Sequence, residues 1–426
     1  MKNFKFLLYF SLISLALVSF SSCEKDPVDP VDETRETITG AISSDVTWTA
    51  DKSYILSGKV VVDNGATLTI EPGTIVKGDE GTASLASALI ITRGSKIMAE
   101  GTAANPIIFT SVLDNIQIGE KTGTNLDEND RSKWGGLIIL GNAQVSVGEG
   151  DTEGGMEGIP VNEDYGKYGG TDNTDNSGVL KYVSIRHGGA EIGEGNEING
   201  LTLGGVGSGT VIENVEVVSN LDDGIEFFGG AVNVTNALVA YQGDDAFDID
   251  QNYRGTISNL MSIQDANADN ALEIDGPEGE TYIAGLFTLE NGTFISESDA
   301  VGRAATLKSR AQGNIVNSVF KGFASGIRVR ADYVDAVDCV SKIDAASNMV
   351  DGTLVLTGNT AETSLAPFLF IFPDGEDLAN CVSAALTDDI QTKWTSNNTE
   401  VTSNAVSTTN TSVFEGWSWS ALNGKL

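Results

Sequence analysis

The sequence has little histidine, cysteine, proline or basic charge. It contains one histidine, three cysteines and eight prolines in 426 residues. Because it has no CxxC pair and no Cys/His cluster, a structural zinc site is not expected. Acidic residues outnumber basic ones by 60 to 25, and the net charge of -35 repels nucleic acid and anionic membranes. We therefore expect no nucleic-acid partner. One interpretation of this charge is that the protein binds cations or a partner with basic groups. The alternative is that the charge only keeps a surface protein soluble.

Short β segments dominate what remains. No long amphipathic helix is visible, and segments rich in Val, Ile, Thr and Phe alternate with turns of Gly, Asn and Asp. The 49 glycines and the low share of charged residues, 20%, are typical of a β protein. This length allows two or three ordinary domains, but a solenoid grows along one axis without dividing into separate cores. We expect one elongated domain.

One short sequence pattern is repeated three times between Val211 and Gly276. Each copy begins with an asparagine, passes through an acidic turn and ends with an acid between two apolar residues. The copies begin at Asn214, Asn236 and Asn259, so their spacings are 22 and 23 residues. Such a unit is too short for a helical hairpin and suits one coil of a parallel β-solenoid, which buries its apolar face against its neighbours.

Composition divides the rest of the mature chain. We predict a parallel β-helix over 38–330, with polar insertions near 114–132 and 148–178, followed by irregular final coils and a C-terminal cap over 331–426. Long insertions on a solenoid often carry the binding function, although a lid without a ligand is the alternative here. The candidate carbohydrate-binding residues are the aromatic Tyr165, Tyr168 and Trp134. Trp417 and Trp419 are assigned to the cap or, alternatively, to a sugar platform.

The N-terminus has the layout of a secretory signal. Two lysines precede an apolar run over 6–20, and small residues lead to Cys23. The junction resembles the lipobox of bacterial lipoproteins, and residues 24–26 are similar to the acidic export signal of surface lipoproteins of the Bacteroidetes type. The resemblance implies a signal peptide over 1–22, a lipid on Cys23, an acidic tether over 23–37 and an outer-membrane, cell-surface location. An ordinary signal peptide with an incidental cysteine is the alternative.

Cys339 and Cys381 are the remaining cysteines. In a compartment outside the cytoplasm disulfides persist, so we expect these two to be bonded. Spacing alone does not show that their Cα atoms come close enough.

The coils resemble the right-handed parallel β-helix of the pectin-lyase-like superfamily, over roughly residues 50–330. The run Asp-Asp-Gly-Ile-Glu-Phe-Phe-Gly-Gly at 222–230 is also similar to uncharacterised surface lipoproteins of the Bacteroidetes type. The resemblance implies an all-β fold and a location, and not an activity. Polygalacturonases carry paired acids on successive coils, similar to Asp223 and the pair 244–245, but their Gly-His-Gly motif has no counterpart here. Paired carboxylates suit glycoside hydrolysis, yet the same residues are usual in tight turns.

The acid at the end of each copy predicts a stack of carboxylates. Glu226, Asp248 and Glu273 should lie about 4.8 Å apart on adjacent strands. Carboxylates so close repel one another, and they either bind a cation or have raised pKa values. Oxygen ligands of this kind favour Ca²⁺, so these three acids, with Asp223 and Asp245 of the turns, are the candidate metal ligands.

Two basic residues are expected on the corresponding strands further along, Lys308 and Arg328. This arrangement is similar to β-helical lyases of the alginate and chondroitin type, in which Ca²⁺ neutralises a uronate and Lys and Arg act as base and acid. The resemblance implies those catalytic roles for Lys308 and Arg328. A ladder that runs from acid to base, stabilised by its own charges, is the alternative.

From the sequence we expect a monomeric, lipid-anchored surface protein whose β-helix contacts polysaccharide without catalysis. One alternative is a Ca²⁺-dependent polysaccharide lyase or glycoside hydrolase acting on an acidic glycan. Another is a structural or adhesive surface protein.

The lipid anchor is testable at Cys23. Replacing Cys23 with Ala removes the thiol that would be acylated, and we expect the protein to move from the membrane fraction to the soluble fraction on cell fractionation. Membrane association that is unchanged in this variant would refute lipidation at Cys23.

Overall fold

The chain winds into stacked coils with three flat faces. The computed structural model describes residues 34–148, 150–193, 196–297 and 302–426. Strands one coil apart pair in parallel throughout the stack. This confirms the predicted all-β class, a right-handed parallel β-helix. The predicted signal peptide and Cys23 lie outside the described residues, and β structure begins at Arg35, inside the predicted tether.

The three faces are called A, B and C. Six strands bend around a corner and belong to two faces: Arg35–Ile42 and Ser53–Val62 (C and A), and Gly178–Arg186, Val211–Val218, Asn233–Ala240 and Thr256–Gln264 (B and C). Face A continues with Ala88–Ile91, Leu137–Leu140, Leu201–Gly204, Ile225–Phe228, Phe247–Asp250, Leu272–Ile274, Arg303–Leu307, Ser325–Ala331 and Leu369–Pro373. Face B continues with Val46–Trp48, Thr67–Ile70, Lys96–Glu100, Phe287–Glu290, Gly313–Val316 and Leu354–Thr357. Face C continues with Ile75–Gly78, Ile107–Ser111, Thr293–Ser296, Val319–Lys321, Thr360–Glu362 and Thr399–Val401.

The repeated asparagine forms the corner between faces B and C. Asn214, Asn236 and Asn259 have φ values of 58°, 60° and 55°, the left-handed region that asparagine tolerates better than most residues. Their side chains bond from coil to coil. Asn236 Nδ2 donates to Asn214 Oδ1 at 2.9 Å, and Asn259 Nδ2 donates to Asn236 Oδ1 at 2.6 Å. The ladder therefore holds both the corner and the alignment of successive coils.

Apolar ladders fill the inside of the stack. Along face A, the buried side chains of Phe227, Ile249, Ile274, Leu307 and Val329 lie at equivalent positions of five successive coils. Burying one such side chain contributes about 1.5–3 kcal/mol. Each coil obtains this only from its neighbours, and the residues between these positions point outward.

Two helices close the C-terminal end of the stack. They are Ala345–Asp351 and Ala384–Asn397, and the second buries Ile390 and Trp394. The Trp394 ring lies 5.6 Å from the ring of Phe368, between centroids. Cys339 is bonded to Cys381, with an S–S distance of 1.99 Å. No described helix has the length and apolar character needed to cross a membrane.

The last 25 residues do not join this cap, which corrects the predicted cap at its C-terminal end. They return along the outside of face C, with helical turns at Thr411–Phe414 and Trp419–Leu422. The Trp417 ring lies 5.5 Å from Tyr182, and the backbone N–H groups of Trp419 and Ser420 donate to Glu216 at 2.7 and 2.9 Å. The outward side of face C is apolar here and needs this cover, so both tryptophans are buried and neither forms a sugar platform.

The remaining short elements belong to the insertions and loops. The outlying hairpins are Gly154–Gly155 with Lys167–Tyr168 and Glu191–Gly193 with Asn196–Glu197. Further helical turns are Ala83–Leu85, Asp164–Gly166 and Glu376–Cys381. The 114–132 insertion lies against the returning C-terminal segment, where Lys425 Nζ is 2.7 Å from Glu128 Oε1.

The asparagine corner gives a stability prediction. Asn236→Ala removes two ladder hydrogen bonds and leaves an alanine in left-handed geometry, so we expect the free energy of unfolding to fall by about 2–4 kcal/mol. Asn236→Gly removes the same hydrogen bonds, but glycine adopts this φ without strain. Its loss in free energy of unfolding should therefore be about 1–2 kcal/mol smaller than that of Asn236→Ala. Urea denaturation of both variants measures the difference. Equal losses in the two variants would show that the backbone conformation contributes nothing.

Candidate functional site: an acidic cleft on face A

The outward side chains of face A change character along the stack. In order of coils they are Ile138, Thr202, Glu226, Asp248, Glu273, Thr306, Arg328 and Phe370. Glu226, Asp248 and Glu273 thus occupy consecutive positions. The partner of Glu273 on the next coil is Thr306, whereas the expectation was Lys308.

The acids of the turns bond to the coil that follows. Asp223 Oδ1 accepts from the backbone N–H of Asp245 at 2.9 Å, and Asp245 Oδ1 accepts from that of Asn270 at 2.7 Å. Asn270 Oδ1 accepts from the Thr306 hydroxyl at 2.8 Å. Asp223 and Asp245 therefore have a structural role at the corner between faces C and A, and each does this with one of its two carboxylate oxygens.

Turn and strand acids meet in two overlapping clusters. Carboxylate oxygens of Asp223, Glu226 and Asp248 lie within 4.8 Å of one another, and so do those of Asp245, Asp248 and Glu273. The exposed fractions of Asp223, Glu226, Asp245 and Asp248 are only 7%, 8%, 4% and 8%. Burial, reinforced by neighbouring carboxylates, raises the pKa of each of these four groups well above its usual range. The sequence-predicted ligands are therefore brought together.

Lys308 neutralises one end of this array. Its Nζ lies 2.5 Å from Glu273 Oε2 and 3.5 Å from Asp275 Oδ2. Burial lowers the pKa of Lys308, but the two carboxylates more than offset this and hold the pKa above its usual value. A lysine base needs the opposite shift, because it must be neutral at the working pH.

Arg328 is placed apart from such chemistry. Its guanidinium lies 4.1 Å from the ring centroid of Phe372, and its register partner on the preceding coil is Thr306. The geometry gives Arg328 and Lys308 structural contacts, and it provides no support for the base and acid roles.

A cleft opens beside the row of outward acids Glu226, Asp248 and Glu273, which is called the acidic ladder below. Its volume is about 160 Å³, and it lies between the face A coils, the 148–178 insertion and the loop that follows the only histidine. The lining residues are Ile138, Met156, Glu157, Ile192, Glu197, Ile198, Asn199, Thr202, Asp222, Asp223, Glu226 and Phe228. The Asn199 amide donates to Glu226. Burial, together with neighbouring Asp244, raises the pKa of Asp222 to about 7. The lining therefore combines apolar side chains with carboxylates.

The predicted aromatic sugar contacts require correction. Trp134 and Tyr168 are 0% and 2% exposed, so neither ring can stack on a sugar. Trp134 Nε1 donates to the Arg186 carbonyl at 2.7 Å, and the Tyr168 hydroxyl lies 3.1 Å from Gln251 Oε1. Tyr168 fastens the insertion to face A. Tyr165 is half-buried and lines a separate open groove that also includes Arg93.

Sequence reasoning missed several residues of the cleft. Asp222 and Asp244 precede the predicted ligands in the repeat, so the repeated Asp-Asp pair was an available indication for Asp222. Glu157 and Glu197 come from separate loops outside the repeats, and no pattern in the sequence brings them to the coils.

The three-faced parallel coil and the cleft on one face define a β-helix of the type that carries its site on the outside of the stack. The chain belongs to the pectate-lyase like beta helix domain family, whose model matches residues 40–418.

Two solved structures are similar at low identity. A pectin methylesterase from Aspergillus niger is 12% identical, with 85% of this chain and 87% of that chain covered and a TM-score of 0.28. The tailspike protein of Acinetobacter baumannii phage AM24 is 11% identical, with 79% and 50% covered and a TM-score of 0.27. Such TM-scores say nothing about function. No curated protein matches the chain.

The contacts of Lys308 give a prediction that separates stability from catalysis. Lys308→Met leaves Glu273 and Asp275 without their cation, and we expect the free energy of unfolding to fall by about 1–3 kcal/mol. Lys342→Met is the control, because Lys342 is half exposed and its pair with Asp332 should be worth under about 1 kcal/mol. Denaturant unfolding measures both. Equal stability of the Lys308 variant and the wild type would contradict this role.

Proposed function

We propose that the protein binds a polysaccharide chain in the face A cleft and does not transform it. The observation that carries the proposal is the cleft itself. Its lining combines apolar side chains with a few convergent polar groups, as ligand-binding sites do. Membership in a pectate-lyase like family supports polysaccharide as the ligand class.

The chemistry of the lining favours a particular kind of glycan. A sugar ring has apolar C–H faces, which suit Ile138, Met156 and Phe228, and hydroxyl groups, which suit the acids of the lining. In their ionised form the cleft acids only accept hydrogen bonds and pair with hydroxyl or amino groups, while the raised pKa values of Asp222, Asp223 and Glu226 leave a protonated fraction that can also donate. The same carboxylates, in a chain of net charge -35, repel uronates. A neutral or amino-sugar polysaccharide is therefore favoured over an acidic one.

The proposed location follows from the N-terminus. A lipid on Cys23 would anchor the chain at the outer membrane, and the tether would leave the monomeric β-helix free to meet glycan at the cell surface. This arrangement needs no nucleic-acid partner, in keeping with the acidic charge.

An enzyme remains the second candidate, in its hydrolase form only. The raised pKa of Lys308 argues against a lyase base. Carboxyl pairs in the cleft are the groups that glycoside hydrolysis needs, one as acid and one as base or nucleophile. Hydrolysis would create new reducing ends, so its product distinguishes it from binding.

A glycan array tests the proposal with protein that begins at Cys23. We expect binding to neutral or amino-sugar polysaccharides, without new reducing ends. Glu197→Gln removes one acceptor of the cleft and should weaken binding about 5–10-fold. Asp151→Asn removes an exposed carboxylate of the 148–178 insertion that lies outside the cleft lining, and it should bind like the wild type.

Each other result has a definite meaning. Binding confined to acidic glycans, or binding indifferent to Glu197→Gln, would refute the proposed cleft. New reducing ends would establish the hydrolase. Absence of binding across the array would leave the structural or adhesive role.

A further inference from the structure

We propose that Asp223, Glu226 and Asp248 form a calcium site between two successive coils. All three ligands belong to the protein, so the site does not depend on the glycan proposed above. Asp223 and Glu226 lie on one coil, at the turn and on the strand, and Asp248 is the register partner of Glu226 on the next coil. Their carboxylate oxygens approach one another within 4.8 Å. One ion placed among them would join the two coils.

The three carboxylates have no direct ion-pair partner among the described residues, although the charge of Lys308 interacts with Asp248 at longer range. Across the described ranges, no lysine or arginine forms an ion pair with Asp223, Glu226 or Asp248. The neighbouring cluster differs, because Lys308 contacts its member Glu273. The uncompensated charge is therefore concentrated on one cluster, where each acid is at least nine-tenths buried. Buried charges in proteins are normally paired or coordinate a metal.

An unpaired oxygen gives independent support. Asp248 Oδ1 is fully buried and has no hydrogen-bond partner among the described residues. A buried polar atom without a partner is uncommon in native structures and calls for a ligand or an ion. Asp223 and Glu226 each use one oxygen on a neighbour, the Asp245 N–H and the Asn199 amide, which leaves their second oxygens for a ligand.

The donor set selects the kind of ion. The candidate ligands are carboxylate oxygens, with the buried Thr202 hydroxyl beside Glu226 in register, and there is no nitrogen or sulfur donor in the cluster. Oxygen ligands favour hard cations over transition metals. Ca²⁺ accepts six to eight oxygens in irregular geometry, whereas Mg²⁺ demands a near-ideal octahedron. Asp223 and Glu226 also line the cleft, which provides an entry path and room for water ligands.

Calcium binding is measured without any glycan. Protein stripped with chelator is titrated with CaCl₂ by calorimetry, and native mass spectrometry counts the bound ions. We expect one Ca²⁺ per chain and a melting temperature that rises by about 3 °C at a hundredfold excess over the dissociation constant. Asp248→Asn should weaken binding at least tenfold, while Asp388→Asn, an exposed carboxylate on the cap helix, should bind like the wild type.

Melting temperatures measured with and without Ca²⁺ separate a metal ligand from a residue that has only a structural role. In chelator, Asp248→Asn should melt at or above the wild-type temperature because it relieves repulsion, and in Ca²⁺ it should melt below the wild type. Glu226→Gln should repeat this crossover, which covers the case in which Asp248→Asn does not fold. Wild-type protein that binds no Ca²⁺, or either folded variant binding Ca²⁺ as tightly as the wild type, would overturn the proposal. Binding of Mg²⁺ in preference to Ca²⁺ would overturn the assignment of the ion.

Discussion

The inward side chains of each described coil pack against the coil before and the coil after, so equivalent residues are held about 4.8 Å apart. For asparagine this spacing is favourable, and Asn214, Asn236 and Asn259 bond to one another in a row. For carboxylates it is costly, since two unit charges at that distance repel by roughly 3 kcal/mol at an effective dielectric constant of 20. One geometric constraint thus stabilises the corner and strains the acidic ladder.

The repulsion between carboxylates of the acidic ladder is offset by different contacts at different coils. The turn acids Asp223 and Asp245 accept backbone N–H groups from the next coil, and Glu273 is paired with Lys308. Asp248 lies between Glu226 and Glu273 in the acidic ladder, and its buried Oδ1 atom has no hydrogen-bond partner among the described residues. The repulsion is therefore least compensated between the Glu226 coil, which borders the cleft, and the Asp248 coil next to it, where a bound cation would relieve it.

Repetition decides which features the sequence could predict. The acidic ladder was predictable because the copies that contain Glu226, Asp248 and Glu273 are nearly equal in length, so counting gives the register. Counting fails after Glu273, because a longer excursion precedes the next face A strand and shifts the partner to Thr306. The positions of Trp134 and Tyr168 were missed for a related reason, since aromatic residues in or near polar insertions suggest exposed rings while contacts distant in sequence bury both. The return of Trp419 to Glu216 spans about half the chain, and no local pattern reports it.

The cleft lies where the regular and irregular parts of the chain meet. The coils hold the acids at fixed spacing, and their positions are set by the packing of the whole stack. Met156 and Ile192 of the apolar lining come from loops that the coils do not need for their own pairing, whereas Ile138 and Phe228 lie on face A strands. Changes in those loops can alter which sugar ring fits without moving the carboxylates of the coils, because insertions on a solenoid add to its surface and leave the pairing of the coils intact. The coils therefore fix the position of Asp223 and Glu226, while the loops can vary the rest of the lining, including Glu157 and Glu197.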